Sequence, residues 1–312
     1  MPKTVALQID PLESLNFTTD STLLIANELQ GRGYELFSYS PEDLSFEHGD
    51  LYATGNYIEL DYANQTFAKF ESKKALLKDF QIIFVRQNPP FDQKYLTTTY
   101  MLETLRGPMI INDPQAIRNI SEKLCIMNFP KLIPDTIVTT NHHEIKNFLG
   151  RHMVVIAKSL YGFGGADVVK LTGDDHDIDA KIERLLEKYG HLMVQEFLPD
   201  VNTLGDKRVM IMEGKVIGAI NRMPSPEDFR ANLVLGGKAY STTLTEKEME
   251  ICAIVGHFLK SKNLFLAGVD LIAEKLIEIN VTSPTGLVAI NNLHQQAIEK
   301  IIVDKIETKV KY

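Results

Sequence analysis

An α/β fold is predicted by three observations. In the first third of the chain, short buried-type strands alternate with helices, the pattern of a parallel, doubly wound sheet. Further on, three glycines in four residues, Gly162, Gly164 and Gly165, join two strand-like runs. Near the C-terminus, two apolar strands joined by a polar turn carry Asp270, Glu278 and Asn280 as their only strongly polar side chains.

The elements follow in chain order. Residues 5–9 read as a buried strand, and residues 21–32 as a helix with Asp20 as N-cap and Gly33 as stop. A strand at 35–39 comes next. Residues 44–60 read as a β-excursion broken at Gly49 and Gly55. Residues 80–86 form a strand around Ile82-Ile83-Phe84-Val85, residues 95–105 a helix, and residues 109–112 another strand. Sheets of this kind bind ligands at the carboxyl ends of their strands, where Asp10-Pro11 and the run 86–92 fall.

From Pro114 the texture changes. A helix is predicted over 116–129, a linker around Pro130 and Pro134, and strands at 154–159 and 166–171 on either side of the glycine run. A helix at 181–189 and a strand at 191–197 complete a small second unit. A third begins with a hairpin, 207–212 and 215–221, turning at Glu213-Gly214. Then come a long irregular stretch, 223–240, and a helix at 245–262 with a capping box from Thr245 to Glu248. The polar hairpin and a helix at 291–308 end the chain. The division predicted is 1–120, 121–200 and 201–312, with no internal repeat.

Composition narrows the function. With 33 basic and 41 acidic residues the net charge is -8, which argues against a general nucleic-acid or membrane-surface binder. An anionic ligand must therefore meet a local basic site. No apolar run approaches the ~20 residues that span a bilayer, and the first strand is too short for a signal segment, so a cytoplasmic location is expected. Cys125 and Cys252 lack metal-ligand spacing and read as reduced, buried thiols. The acidic run 173–179 lacks calcium-loop spacing and reads as solvated loop, and His142, His143 and His294 as solvated or packed side chains.

Two motifs carry chemistry. Side chains alternate along a strand, so Glu278 and Asn280 share a face, and a turn near Glu274 sets Asp270 opposite Glu278. Three hard oxygen donors on one face suit Mg²⁺. The plainer reading is the solvent face of an amphipathic hairpin. The glycine run is not a Walker A loop, since no Gly-Lys-Ser/Thr follows, nor a dinucleotide fingerprint, since a strand follows it. A glycine loop between antiparallel strands resembles the flap over nucleotide phosphates in kinases, but His-Arg-Asp and Asp-Phe-Gly are missing. Lys158, at the end of the entering strand, could reach a phosphate. The plainer reading is a mobile tip with a surface lysine.

Further strings join these: Ile9-Asp10-Pro11, Arg86 to Asp92 as Arg-x-x-Pro-Pro-Phe-Asp, Ser121-Glu122-Lys123-Leu124, Gly162-Phe163-Gly164-Gly165, Gly205-Asp206-Lys207-Arg208-Val209, Arg230-Ala231-Asn232-Leu233 with Gly236-Gly237, and the run from Glu278 to Gly286. On them the chain resembles the bacterial glutathione synthetases of the ATP-grasp superfamily over almost its whole length. The resemblance implies an ATP-grasp fold with an N-terminal doubly wound domain, a central lid domain and a C-terminal domain holding the metal site. It implies that ATP phosphorylates the cysteine carboxylate of γ-glutamylcysteine. Glycine then attacks the acyl phosphate, giving glutathione, ADP and phosphate.

Site residues follow from the resemblance. Asp270, Glu278 and Asn280 would hold Mg²⁺, two ions, with Mn²⁺ able to substitute. Lys123, Lys158, Gly162, Gly164 and Gly165 would meet the ATP phosphates. Gln195, Glu196, Phe197 and Leu198 would line the adenine and ribose pocket, with Asp206 a further nucleotide contact. Arg208 and Arg222 would neutralise the transferred group, and Arg230 and Asn232 belong to a lid, 223–240, that excludes water. Arg86 and Asn280, with Asp10 and Ser14 nearby, are implied for the dipeptide, and Ser283, Thr285 and Gly286 for the glycine side. A homodimer or homotetramer is implied.

Three departures stand out: Ser159 where the family has proline, the acidic, proline-containing run 224–229 in place of glycines, and Leu287-Val288-Ala289-Ile290-Asn291-Asn292 where the family has a basic and an acidic residue. The second predicts a stiffer, more acidic lid, and the third altered substrate contacts. Two other readings fit the same motifs, a different carboxylate–amine ligase and a catalytically silent nucleotide-binding module.

Overall fold

Backbone hydrogen bonding sorts the strands into three sheets in a computed structural model that describes residues 2–162, 164–165 and 167–310. Phe163 and Ala166, part of the glycine run, lie outside the described residues.

The first sheet holds β1 (Lys3–Gln8), β2 (Tyr34–Tyr39), β3 (Leu44–Glu47), β4 (Asp50–Asp61), β5 (Thr66–Leu76), β6 (Ile82–Val85) and β7 (Met109–Ile111), with helices α1 (Ser21–Gly31), α2 (Gln93–Glu103) and α3 (Pro114–Asn119). Its parallel heart runs β2-β1-β6-β7, and β3, β4 and β5 extend it antiparallel. Burial on both faces explains the unbroken apolar runs of β1 and β6. The Asp20 carboxylate caps α1 by accepting from the N–H groups of Thr22 and Leu23 at 2.7 and 2.8 Å.

Three expectations change here. Gly55 does not break β4 but lies inside it, because a Cβ there would collide with the Ser38 carbonyl of β2. Strand β5 carries no sequence signal, since most of its residues are exposed and no period-2 alternation survives. The helix expected over 116–129 stops at Asn119, where Ile120 turns extended (φ −114°, ψ 96°), and resumes only as a 3₁₀ turn, Leu124–Asn128. The tertiary partner explains the break: the Glu122 carbonyl accepts from the Ile279 N–H at 3.1 Å instead of continuing a helix.

The second sheet is antiparallel, in the order β10-β9-β11-β8. Its elements are β8 (Thr136–Thr139), α4 (His142–His152), β9 (Val154–Ser159), β10 (Val168–Thr172), α5 (Ile178–Tyr189) and β11 (Leu192–Glu196). Strand β8 is a short piece the sequence pattern did not reveal. Alternate residues of β9 and β11, Val155, Ala157, Leu192 and Val194, pack under α4 and α5. The intervening ones, Ile156, Lys158 and Gln195, face a cleft.

The third unit comprises α6 (Val201–Leu204), β12 (Asp206–Met212), β13 (Lys215–Met223), β14 (Lys238–Ser241), α7 (Glu246–Ser261), β15 (Leu266–Ile272), β16 (Lys275–Asn280), α8 (Leu287–His294) and α9 (Ile298–Glu307). Its sheet runs β14-β13-β12-β15-β16. The capping box of α7 forms as the sequence predicts. The irregular stretch ends before Lys238, where β14 begins. The single C-terminal helix becomes two, because Gln295 adopts a left-handed conformation (φ 55°, ψ 42°) that ends α8.

The two faces of this sheet differ. One, with Val209, Ile211, Val269 and Leu271, packs on α7. The other is apolar at one end, where Met210, Ile220 and Leu266 join α8, α9 and the first sheet in a shared core. Its other end is charged. Among the described residues no helix is long and apolar enough to cross a membrane.

Candidate active site

Register alone gathers the charged side chains. Asp206 on β12 stands opposite Arg222 on β13, Arg208 on β12 opposite Asp270 on β15, and Asp270 opposite Glu278 on β16. A register shift after Asp270 leaves Ile277 as the extra residue, so Leu276 returns to the α7 side while Glu278 and Asn280 keep the face of Asp270. The hairpin geometry expected for the three oxygen donors is the geometry found.

Arg208 grips Asp270 with two bonds, Nε to Oδ1 at 2.5 Å and Nη2 to Oδ2 at 3.0 Å. Arg222 Nη2 bridges Asp206 Oδ2 at 2.7 Å and Asp270 Oδ1 at 3.1 Å. Asn280 Nδ2 donates to Asp270 Oδ2 at 3.3 Å. Burial opposes ionisation of Asp270, but the pull of Arg208 and Arg222 is larger and holds its carboxyl well below the usual range. Asp206 goes the other way. Its burial is only partly offset by Arg222, and the Asp270 charge adds to the rise. Gly268 makes room for this array, since a Cβ there would sit 3.1 Å from Arg208 Cδ.

Across the cleft, Lys158 is buried, and its Nζ donates to Gln195 Oε1 at 2.6 Å. Desolvation lowers its pKa, and Glu278 across the cleft pulls it partly back. Lys123 Nζ lies 3.4 Å from Glu278 Oε1 and donates to the Gly162 carbonyl. Gly162, Gly164 and Gly165 line the cleft at this end. Ser159, at the family's proline position, accepts the Gly162 N–H on its Oγ at 3.1 Å and so braces the loop.

The irregular stretch after β13 lies against the same loop. Arg230 donates to both Asp228 oxygens at 2.8–3.1 Å and to the Gly165 carbonyl at 2.9 Å. Asn232 Oδ1 stands 2.8 Å from where a Cβ on Gly165 would lie, so this stretch meets Gly165 at a point only glycine allows. Asp228, from the departing acidic run, is thus the counter-charge of Arg230. Phe229 meets Phe197 edge to face at 6.2 Å.

These parts enclose a cleft of about 450 Å³, within the range of small-molecule sites. The two lysines, the three glycines, the segment Gln195 to Leu198 and Asp206 all line it. So do Arg208, Arg222, Arg230 and Asn232, the three oxygen donors of the hairpin, and Ser283, Thr285 and Gly286. The Gln195 side chain is used up between Lys158 and Thr136 Oγ1 (3.0 Å), and Glu196 Oε1 accepts from the Asp135 N–H at 3.1 Å.

Asp10, Ser14 and Arg86 are not among the residues that line this cleft. The Asp10 carboxylate accepts from the Asn88 N–H at 3.0 Å, and Ser14 donates to the Pro11 carbonyl at 2.6 Å. Arg86 is buried, donating to Thr22 Oγ1 at 3.0 Å and to the Pro284 carbonyl at 2.9 Å. Its guanidinium braces the loop that carries Ser283 and Thr285. The departing run 287–292 begins α8, with Leu287 and Ile290 wholly buried, so those residues pack the core rather than face the cleft.

Sequence reasoning passed over Glu122, Asn88, Asp167 and Thr282, all on the cleft wall. Glu122 and Thr282 belong to the strings 121–124 and 278–286. Asn88 lies at the carboxyl end of a strand, and Asp167 carries no signal beyond its place after the glycines.

The oxygen donors fit a hard divalent cation. Among the described residues no trio of His, Cys, Asp and Glu gathers anywhere, and this set of two carboxylates and an amide leaves coordination positions for phosphate oxygens and water.

Comparison with known proteins gives the family. The model for the prokaryotic glutathione synthetase N-terminal domain matches residues 4–118, and that for its ATP-grasp domain residues 122–295. The chain is 38% identical over 314 residues to a glutathione synthetase of Agrobacterium fabrum, covering 98% of this chain and 97% of that one. It is 35% identical over 312 residues to one of Vibrio parahaemolyticus, covering 98% of each. Among solved structures, D-cycloserine synthetase DcsG superposes with a TM-score of 0.70 at 14% identity, over 99% of this chain and 100% of that one. D-alanyl-alanine synthetase A of Vibrio cholerae superposes at 0.64 and 16% identity, over 99% of each. Those two likenesses show the ATP-grasp fold. With family models over both parts and full-length relatives at this identity, the chain belongs to the prokaryotic glutathione synthetase family and is an ATP-dependent, peptide-bond-forming ligase of that type.

Proposed function

We propose that this protein joins γ-glutamylcysteine to glycine through an acyl phosphate, releasing ADP and phosphate. One observation carries the reading: Arg208, Arg222, Asp270, Glu278 and Asn280 share one sheet face, opposite a buried Lys158 beneath a glycine run.

A carboxylate is a poor electrophile, and phosphorylation gives it a leaving group. Moving a phosphoryl group between anions requires clustered positive charge. Asp270, Glu278 and Asn280 would hold two Mg²⁺ ions, with Mn²⁺ accepted, and such ions supply charge neutralisation at the phosphates. Lys123 and Lys158 orient the ATP phosphates under the glycine loop. The backbone of 195–198 lines the adenine, and Asp206 faces the nucleotide. Arg208 and Arg222 neutralise the transferred group once they share it with Asp270. Arg230 and Asn232 close the lid against water, which would otherwise hydrolyse the acyl phosphate. Ser283, Thr285 and Gly286 receive the amine substrate, and Arg86 holds their loop from behind.

The division at 1–120, 121–200 and 201–312, a symmetric homodimer or homotetramer, and a cytoplasmic location belong to the same reading. The acidic net charge supports small-molecule partners rather than nucleic acid or membrane. An ADP-release assay with γ-glutamylcysteine and glycine, beside a panel of other dipeptides and amines, tests it. ADP appearing only with the named pair is expected. Preference for another pair would make the protein a different ligase, AMP as product would exclude the acyl phosphate, and no turnover with any pair would leave a nucleotide-binding module.

A further inference from the structure

Glu122 has no part in the scheme above, yet it sits on the cleft wall beside Lys123. One of its oxygens, Oε1, accepts three hydrogen bonds: from the Val281 N–H at 2.8 Å, the Thr282 N–H at 3.1 Å and Thr282 Oγ1 at 2.9 Å. Its own carbonyl accepts from the Ile279 N–H at 3.1 Å. A single residue of the connector between the first two sheets therefore grips the chain on both sides of Asn280.

Val281 and Thr282 are the only residues between Asn280 and the loop 283–286. That loop is held at other points by backbone contacts: Arg86 on the Pro284 carbonyl and Arg208 Nη1 on the Thr285 carbonyl at 3.1 Å. Asn112 takes the Val281 carbonyl at 2.8 Å, opposite the N–H that Glu122 takes. Without Glu122 the two N–H groups at the root of the loop lose their acceptor, and the root keeps the Asn112 bond to the Val281 carbonyl. A buried donor left unpaired is costly, so the peptide must turn to find another partner.

We propose that Glu122 is a positioning residue. By accepting the Val281 and Thr282 N–H groups it sets the angle at which the loop 283–286 presents itself to the amine and carboxylate substrates. The inference rests on the reading that this loop receives substrate. It acts through hydrogen-bond acceptance by one oxygen rather than through charge, because a single Oε atom takes all three donors.

The test compares Glu122→Ala with Glu122→Gln in the full-length protein. Glutamine keeps an acceptor oxygen and removes the charge, while alanine removes both. For Glu122→Ala, KM for γ-glutamylcysteine and glycine rises about tenfold or more, and the dissociation constant for ADP, read by calorimetry, stays within about threefold. Glu122→Gln restores KM to within about threefold of wild type. Amide hydrogen exchange over 281–286 is faster in the alanine variant and normal in the glutamine variant. Unchanged KM and exchange in Glu122→Ala, glutamine behaving like alanine, or an equal loss of ADP affinity would each overturn the assignment. A wild-type protein silent with these substrates sinks the functional reading, while the exchange arm still decides whether Glu122 holds the loop.

Discussion

Glu278→Ala separates metal binding from structure, because the neighbouring carboxylates are placed so differently. Glu278 is 24% exposed and has one ion pair, to Lys123 at 3.4 Å. Lys123 is buried but keeps the Gly162 carbonyl as acceptor, so losing this partner costs about 1–2 kcal/mol. The Glu278 charge also helps to raise the pKa of Glu122, after burial, so its removal relieves a like-charge repulsion. The net cost in stability is no more than about 2 kcal/mol. Asp270 is enclosed with Arg208 and Arg222, and Asp270→Asn leaves two buried guanidinium groups short of a counter-charge. Breaking a buried pair costs about 3–5 kcal/mol.

Both substitutions remove a ligand of the proposed metal site. Changing even an outer-shell partner typically costs 10–100-fold in metal affinity, so losing a direct ligand costs at least about 100-fold. Melting in EDTA, and Mg²⁺ titration of ADP release, give the two readouts. Glu278→Ala keeps the wild-type melting temperature to within a few degrees and loses turnover at ordinary Mg²⁺ concentrations. Asp270→Asn loses both. A Glu278→Ala protein that melts as low as Asp270→Asn, or titrates with Mg²⁺ like wild type, would refute the division of labour.

The remaining predictions concern the lysine, the thiols and the lid. Burial lowers the Lys158 pKa, so between the lowered value and 10.5 the folded chain holds fewer protons than the unfolded one. The stability term from this group therefore rises with pH across that window, while ATP affinity, which needs the ammonium, falls. Calorimetric ATP affinities that fall with pH equally in wild type and Lys158→Met would contradict this. Burial, then the Glu248 charge, push the Cys252 thiol up to about 12, and Cys125 is pushed up as well, first by burial. Neither thiol reacts with a disulfide reagent at pH 8 until the chain unfolds, and labelling faster than unfolding would show one of them accessible. Arg230→Ala removes a half-buried pair with Asp228, leaves ATP affinity largely intact and releases phosphate without ligation. A parallel loss of ATP affinity would place Arg230 on the nucleotide instead.

Local chemistry was legible in the sequence because it acts over a few residues. Asp20 and the Thr245–Glu248 box announced their helix starts, Glu213-Gly214 its hairpin, and the alternation in 268–280 the face shared by Glu278 and Asn280. The apolar runs of β1 and β6 marked the parallel heart of the first sheet. Strand β5 escaped because most of its residues are exposed and its apolar ones do not alternate, and the break at Ile120 because its cause lies at Ile279, far along the chain. Tertiary structure alone decided which charges meet. Arg208 reaches Asp270 and Glu122 reaches Thr282 only after segments 62 and 160 residues apart have been set side by side. It also set the Arg86 guanidinium on the Pro284 carbonyl, a partner 198 residues away that the closed fold brings to it. Periodicity and capping depend on neighbours in sequence; pairing of charge depends on register between distant strands, which no local pattern encodes.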